Sequence, residues 1–286
     1  MIDKPAGCTS HDCVAIARRL LGIRRIGHGG TLDPSVTGVL PLAIGPATRL
    51  LPYLDGTKAY AGRIQLGLTT HSDDLSGYPL NQAPWPQLEK QELGALLADF
   101  CGEHEQIPPS VSAVHVNGER AYRRVQRGEQ PQIPARQITI HDLQLLSWNP
   151  SAGSFEIALR CSAGTYVRAL ARDIGAKLGC GAVLAELRRT SALGFNLGQA
   201  IALDQLHPQM ALLDPLLPLG PRPQLQLDSQ QWQAWCRGQR LQSPQLDDFS
   251  GTDVVVVLRP DGSLAGLAIS IDTNELQPRV VFDAAG

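Results

Sequence analysis

Apolar and polar positions alternate with two different periods along this chain. Ser10 to Leu21 places Val14, Ala17 and Leu21 on one helical face, with Ser10 as the candidate N-cap and Gly22 as the stop. Leu93, Leu96, Leu97 and Phe100 repeat at helical spacing within Leu88 to Phe100, ahead of Gly102. Leu170, Ile174 and Leu178 do the same within Arg168 to Leu178, closed by Gly179. Strand patterns occupy Tyr60 to Leu66 and Phe155 to Cys161; in the latter Phe155, Ile157, Leu159 and Cys161 alternate with Glu156, Ala158 and Arg160. Val254 to Leu258, the turn Pro260-Asp261-Gly262 and Leu264 to Ile269 read as a hairpin, and Arg279 to Phe282 as a further strand. Helices and strands do not follow a βαβ rhythm, so the pattern predicts an α+β fold. Leu212 to Pro223 is too rich in proline for a regular helix or central strand and reads as a linker. This divides the chain into residues 1–220 and a small β-rich unit, 221–286.

The 286 residues are 43% hydrophobic and 18% charged, an ordinary globular composition. No apolar run reaches the length of a membrane span and the first residues carry no signal-peptide pattern, so a cytoplasmic protein is expected. The six cysteines contain no C-x-x-C pair and read as reduced, mostly buried thiols rather than metal ligands. The net charge of −2 is unevenly spread. Residues 1–60 and 103–190 each carry +3, residues 61–102 carry −3 and residues 191–286 carry −5. Two basic blocks far apart in sequence are compatible with one basic face, and equally with scattered surface charge.

The segment most unlike a scaffold is Gly27 to Pro41, GHGGTLDPSVTGVLP. Four glycines and two prolines constrain it around one imidazole, His28, and one carboxylate, Asp33. Pro34 drives Asp33 towards extended backbone. A carboxylate on so restrained a loop is a catalytic candidate, although Asp-Pro is also an ordinary turn. The glycine spacing matches neither phosphate-binding loop pattern. Ser162 to Arg168, SAGTYVR, leaves a strand and enters a helix, and its Arg168 is either a partner for a carboxylate or a surface residue. Tyr60, at the strand start Lys58-Ala59-Tyr60, can stack on a base or simply pack. In Leu187-Arg188-Arg189, the arginines can meet phosphates or end a solvated helix.

Taken together and in this order, these segments resemble the TruB-type tRNA pseudouridine synthases. The resemblance rests on DKPAG at Asp3 to Gly7, TSHD at Thr9 to Asp12, the Gly27 to Pro41 loop, KAY at Lys58 to Tyr60, Ser162 to Ala182 and LRR, and runs from Ile2 to about Leu206. It implies the pseudouridine synthase fold, with a mixed, mainly antiparallel sheet, and a small PUA-like C-terminal domain that binds RNA. Asp33 takes the position of the catalytic aspartate. His28, Tyr60, Tyr166, Arg168, Leu187 and Lys4 take positions of substrate-binding residues, with Arg168 pairing Asp33 and Tyr60 stacking on the base. Residues 102–131 correspond to a thumb that closes on RNA and carry Arg120, Arg123, Arg124 and Arg127; with Arg188 and Arg189, Arg123, Arg124 and Arg127 are the RNA-contact candidates.

The implied reaction is isomerisation of uridine 55 in the tRNA T arm, by a chain acting as a monomer, with no guide RNA, no cofactor and no metal. Its chemical route, through uracil C6, ribose C1′ or a glycal, is left open. A tRNA-folding chaperone, a guide-dependent subunit and a nucleoside hydrolase are the alternatives. Three features depart from the family pattern: only Met1-Ile2 stand where the family has a few apolar residues forming a strand before Asp3-Lys4-Pro5, His71 in Thr70-His71-Ser72-Asp73-Asp74 replaces an acid while Asp74 retains the later one, and the tail is acidic.

Overall fold

The computed structural model describes residues 1–242, 254–272 and 275–282. Its centre is a nine-stranded mixed sheet. From one edge the strands run Ile201–Ala202, Ile2–Lys4, Thr37–Leu40, Ala182–Ala192, Lys58–Leu66, Ser154–Cys161, Arg136–Asn149 and Gly102–Gln106, with Phe195–Asn196 paired beside Ala182–Ala192. Two pairings are parallel, Ile2–Lys4 with Ile201–Ala202 and Thr37–Leu40 with Ala182–Ala192; the others in this sheet are antiparallel.

Helix α1 spans Ser10–Leu21 and ends at Gly22 in the left-handed region, as its pattern predicts. Its cap is Thr9 rather than Ser10: Thr9 Oγ1 accepts from the Asp12 amide while Asp12 accepts from the Thr9 amide. Ser10 is buried and has a different task, described below. Helix α2 covers Lys90–Ala98, α3 covers Ala121–Gln126 and α4 covers Val167–Lys177. Helix α4 buries Leu170 and Ile174 in a core shared with Ile64, Phe155, Ile157 and Leu159. Gly175 lets it lie tight on the sheet, because a Cβ there would meet the Ala182 amide at 2.1 Å. Leu187-Arg188-Arg189 belongs to the central Ala182–Ala192 strand and is not a helix end.

A second, five-stranded sheet is built from Gln224–Gln226, Val254–Leu258, Leu264–Asp272, Glu275–Val281 and Leu241–Gln242, in that order across it. Helix α5, Ser229–Cys236, packs Trp235 into its core. This is the small β-rich tail the hairpin pattern predicts. The proline-rich stretch before it is irregular but not a free tether: Leu219 is buried with Leu50, Val256, Leu264, Leu267 and Val280. Arg49 Nη1 adds a hydrogen bond to the Val281 carbonyl at 2.8 Å.

Candidate active site

The Gly27 to Pro41 loop is held at almost every residue around Asp33. Ser10 Oγ accepts from the Leu32 amide at 2.9 Å and faces the Leu32 carbonyl at 3.3 Å. Val36 N donates to the Asp33 carbonyl at 3.0 Å, closing a turn over Pro34. The Pro34 carbonyl receives the Gly7 amide at 2.9 Å and Lys4 Nζ at 3.3 Å. Arg189 Nε donates to the Val39 carbonyl at 2.8 Å and Nη2 to the Gly30 carbonyl at 3.1 Å. Gly38, at φ 106°, passes so close to the neighbouring strand that a Cβ would sit 2.1 Å from the Arg189 carbonyl oxygen. Glycine is required there for both reasons.

Asp33 projects from this frame to a cleft of about 460 Å³. Its walls include Val36, Gly62, Ile157, Leu184 and Leu187, with Arg63, Asp74, Glu156, Arg168, Glu186 and Arg188 as charged members beside Asp33. Arg168 Nε stands 3.0 Å from Asp33 Oδ2 and 3.7 Å from Asp74 Oδ2. The rest of the guanidinium is also occupied: Nη1 donates to the Ser72 carbonyl at 2.8 Å and Nη2 to the Val111 carbonyl at 3.0 Å. The arginine side chain is 8% exposed and the Asp33 side chain 41%, so a fixed cation meets an accessible anion. Asp74 is committed on its other oxygen, which accepts from Ser72 Oγ, Ser76 N and Ser76 Oγ. It acts as a strut for Arg168 while Asp33 faces the cleft. Asp74, Ser72 and Ser76 are not among the residues singled out from the sequence; their one signal is the Thr70 to Asp74 stretch, noted there for its departure at His71.

The other candidates divide. Leu187 and Arg188 line the cleft; Arg188 forms a two-pronged pair with Asp3, at 2.6 and 3.0 Å. Tyr60 is buried in the core containing Leu32 and Val36 and touches Arg189. Burial pushes its phenol up to about 12, which makes it a poor proton acceptor near neutrality. Tyr166 caps α4 by position; its backbone is bonded in both directions to the side-chain amide of Gln106, and Arg136 lies over its ring at 5.6 Å. His28 sits edge-on to His11 at 5.4 Å, and burial lowers its basicity.

Two assignments are corrected. Lys4 is fully buried, so it is not a substrate contact; Nζ donates to the carbonyls of Pro5, Cys8 and Pro34 and braces the Asp33 loop from behind. Arg189 is equally buried and is a brace, not an RNA contact. Within residues 102–131, Arg124 pairs with Glu129, and Arg127 with Glu119 and Glu129, so these charges are internally answered. Arg120 and Arg123 are exposed. His71, where the family has an acid, stacks on Tyr78 at 4.0 Å and accepts from its amide through Nδ1.

A carboxylate clamped by arginine on this strand order defines a pseudouridine synthase fold. Two solved structures share it. The chain superposes on the protein of a "Cbf5-Nop10-Gar1 Complex" with a TM-score of 0.74 at 23% identity, over 98% of this chain and 83% of that one. On an "H/ACA RNP bound to a substrate RNA containing 2'-deoxyuridine" the TM-score is 0.72 at 22% identity, with the same coverage. Residues 18–167 match the family described as "TruB family pseudouridylate synthase (N terminal domain)" and residues 168–217 the "tRNA pseudouridylate synthase B C-terminal domain". The chain belongs to the TruB family of pseudouridylate synthases. The boundary at residue 167/168 falls inside the main sheet's core, since α4 and Ala182–Ala192 follow it. Among relatives, "tRNA pseudouridine synthase B" of Parasynechococcus marenigrum (strain WH8102) is 56% identical over 289 residues, covering 100% of this chain and 97% of its own. The protein of the same name from Prochlorococcus marinus (strain MIT 9313) is 47% identical over 312 residues, covering 100% and 98%.

Proposed function

We propose that this chain converts uridine 55 in the T arm of tRNA to pseudouridine, acting as a monomer without a guide RNA. The observation that carries the reading is the 3.0 Å contact between Arg168 Nε and Asp33 Oδ2 at the cleft. The reaction breaks the N1–C1′ bond and rejoins the same ring through C5. Nothing is oxidised and nothing leaves, so the demand on the protein is one placed anion and exclusion of water. Asp33 supplies the anion. Arg168 fixes one of its oxygens and leaves the other for the ribose or the uracil ring. Leu187, Val36, Leu184 and Ile157 form the apolar part of the walls, which protects the detached base from hydrolysis. Hydrolytic glycosidases typically use two working carboxylates; here the second one, Asp74, is already spent on Ser72, Ser76 and Arg168.

The target base must leave its stack to reach Asp33, at a cost of a few kcal/mol. His28 and Tyr166 are proposed to take part in that step, and Tyr60 to form the floor beneath the base. We place the catalytic domain at residues 1–220 and assign residues 221–286 to RNA binding. Arg123, with Arg120, is the proposed phosphate contact of the thumb, and Arg188, in exchange for its pair with Asp3, that of the cleft.

The test is Asp33→Asn with a T-arm transcript carrying C5-tritiated uridine. The reading expects tritium release to vanish while RNA binding stays within about threefold, under ~0.7 kcal/mol. Release at the wild-type rate refutes it. Free uracil among the products would make the chain a hydrolase instead, and tRNA refolding that survives Asp33→Asn would reveal a separate chaperone activity.

A further inference from the structure

Two thiols meet directly behind the Asp33 loop. With Thr9 as the cap of α1, Cys8 is the residue before the cap and Cys13 the fourth residue of the helix. An apolar pair commonly joins these two positions and fixes how the chain enters the helix. Here both are cysteines, with Sγ atoms 3.8 Å apart. Cys13 is buried among Ile2, Val14, Ala17 and Ile26, whereas Cys8 is half-buried and reachable from solvent. The Cys8 carbonyl accepts from Lys4 Nζ at 2.7 Å, and the same ammonium reaches the Pro34 carbonyl at 3.3 Å, one residue beyond Asp33. Gly7, next to Cys8, donates its amide to that Pro34 carbonyl. The backbone of Cys8 is therefore part of the brace behind the carboxylate, while its side chain meets Cys13 and the Pro5 carbonyl at the edge of the α1 core.

We infer that Cys8 and Cys13 are an oxidisable dithiol, a modification site whose co-substrate is a disulfide and whose closure reversibly lowers turnover at Asp33. The thiolate of Cys8 attacks one sulfur of the incoming disulfide and expels the first thiolate, which takes up the proton Cys8 gave away. Cys13, deprotonated in turn, attacks Cys8 Sγ and expels the second. Two protein thiols are oxidised and one external disulfide is reduced to two thiols. The Lys4 ammonium opposes part of the rise that burial imposes on the Cys13 thiol. Burial pushes the Cys13 thiol up to about 12, so closure is the slower step and accelerates with pH. A disulfide spans about 2.05 Å, so the sulfurs must approach each other. Cys13 is fixed by helix and core; the Cys8 segment yields, pulling its carbonyl off Lys4 and loosening the hold on Pro34.

The experiment treats the full chain with oxidised glutathione or with dithiothreitol, maps the peptides, and measures turnover on the T-arm transcript. The expected result is a peptide cross-linked through Cys8 and Cys13. Turnover should fall by at least about tenfold and be restored by dithiothreitol, while the turnover of Cys8→Ser, whatever its reduced level, is the same in both conditions. The turnover arm rests on the proposed function; hydrogen exchange across residues 29–38, faster in the oxidised than in the reduced chain, does not. Failure to recover the cross-linked peptide while exposed Cys101 reacts overturns the inference. So does a cross-link that changes neither exchange nor turnover. A reduced chain that is inactive on the transcript counts against the functional reading alone, and the exchange result then decides this one.

Discussion

Replacing Arg168 with lysine tests whether the guanidinium does more than neutralise Asp33. The charge is kept, but the geometry is not. Arginine serves Asp33 and Asp74 through Nε, Ser72 through Nη1 and Val111 through Nη2. One ammonium on a shorter reach cannot serve all of these. Two carbonyls lose a charged donor at about 1–3 kcal/mol each. The Asp33 pairing adds less than a fully buried pair would, since that carboxylate is 41% exposed and screened by solvent. We expect a stability loss of roughly 2–4 kcal/mol, or about 5–12 °C in Tm. Turnover should suffer separately, because a carboxylate displaced by about 1 Å costs on the order of 100-fold, ~2.7 kcal/mol. Single-turnover tritium release at a temperature where the variant is folded measures this directly, with RNA affinity from filter binding. Release within about tenfold of wild type in the folded variant would show that Arg168 holds the fold and does not position Asp33.

Other expectations follow from the same contacts. Lys4→Met should reduce turnover with little change in RNA affinity, because Lys4 braces Pro34 without reaching the cleft; separate kcat and Kd measurements check this, and loss of affinity alone would contradict it. Burial holds the Cys161 thiol up at about 11, against about 9 in the unfolded chain. The neutral thiol is the folded form, so its contribution is complete below pH 9 and is lost as pH rises towards 11. The stability of wild type relative to Cys161→Ala should thus decline over that interval, by at most about 3 kcal/mol, in urea titrations at pH 8 and 10.5. Arg123→Gln should weaken RNA binding and lower the salt slope by about one. The same change at Arg124, which Glu129 already occupies, should have a smaller effect on that slope.

Periodicity identified the main helices and the hairpin of the tail because each buries one regular face. It misassigned the cap of α1, where Thr9 and Ser10 are both competent hydroxyls and only the approach of Leu32 decides which one turns inward. The pairing of Asp33 with Arg168 was legible only through the family resemblance, because the residues alone leave Arg168 equally free to be a surface arginine. The tasks of Lys4 and Arg189 were not: a charged residue inside a functional motif looks like a ligand contact, and only the surrounding carbonyls reveal that it is a buried brace. Arg188 and Arg189 illustrate this as adjacent strand residues on opposite faces, one lining the cleft and the other buried.

The position of Ala182–Ala192 between Thr37–Leu40 and Lys58–Leu66 has a consequence for how the protein is made. The first two segments leave the ribosome long before their shared neighbour exists. Their edges must wait, unpaired, through more than a hundred residues of synthesis. The bonds from Arg189 to the Gly30 and Val39 carbonyls of the Asp33 loop form only when that strand arrives. A nascent chain halted before it is therefore prone to clumping, whatever fraction of its helices has already formed.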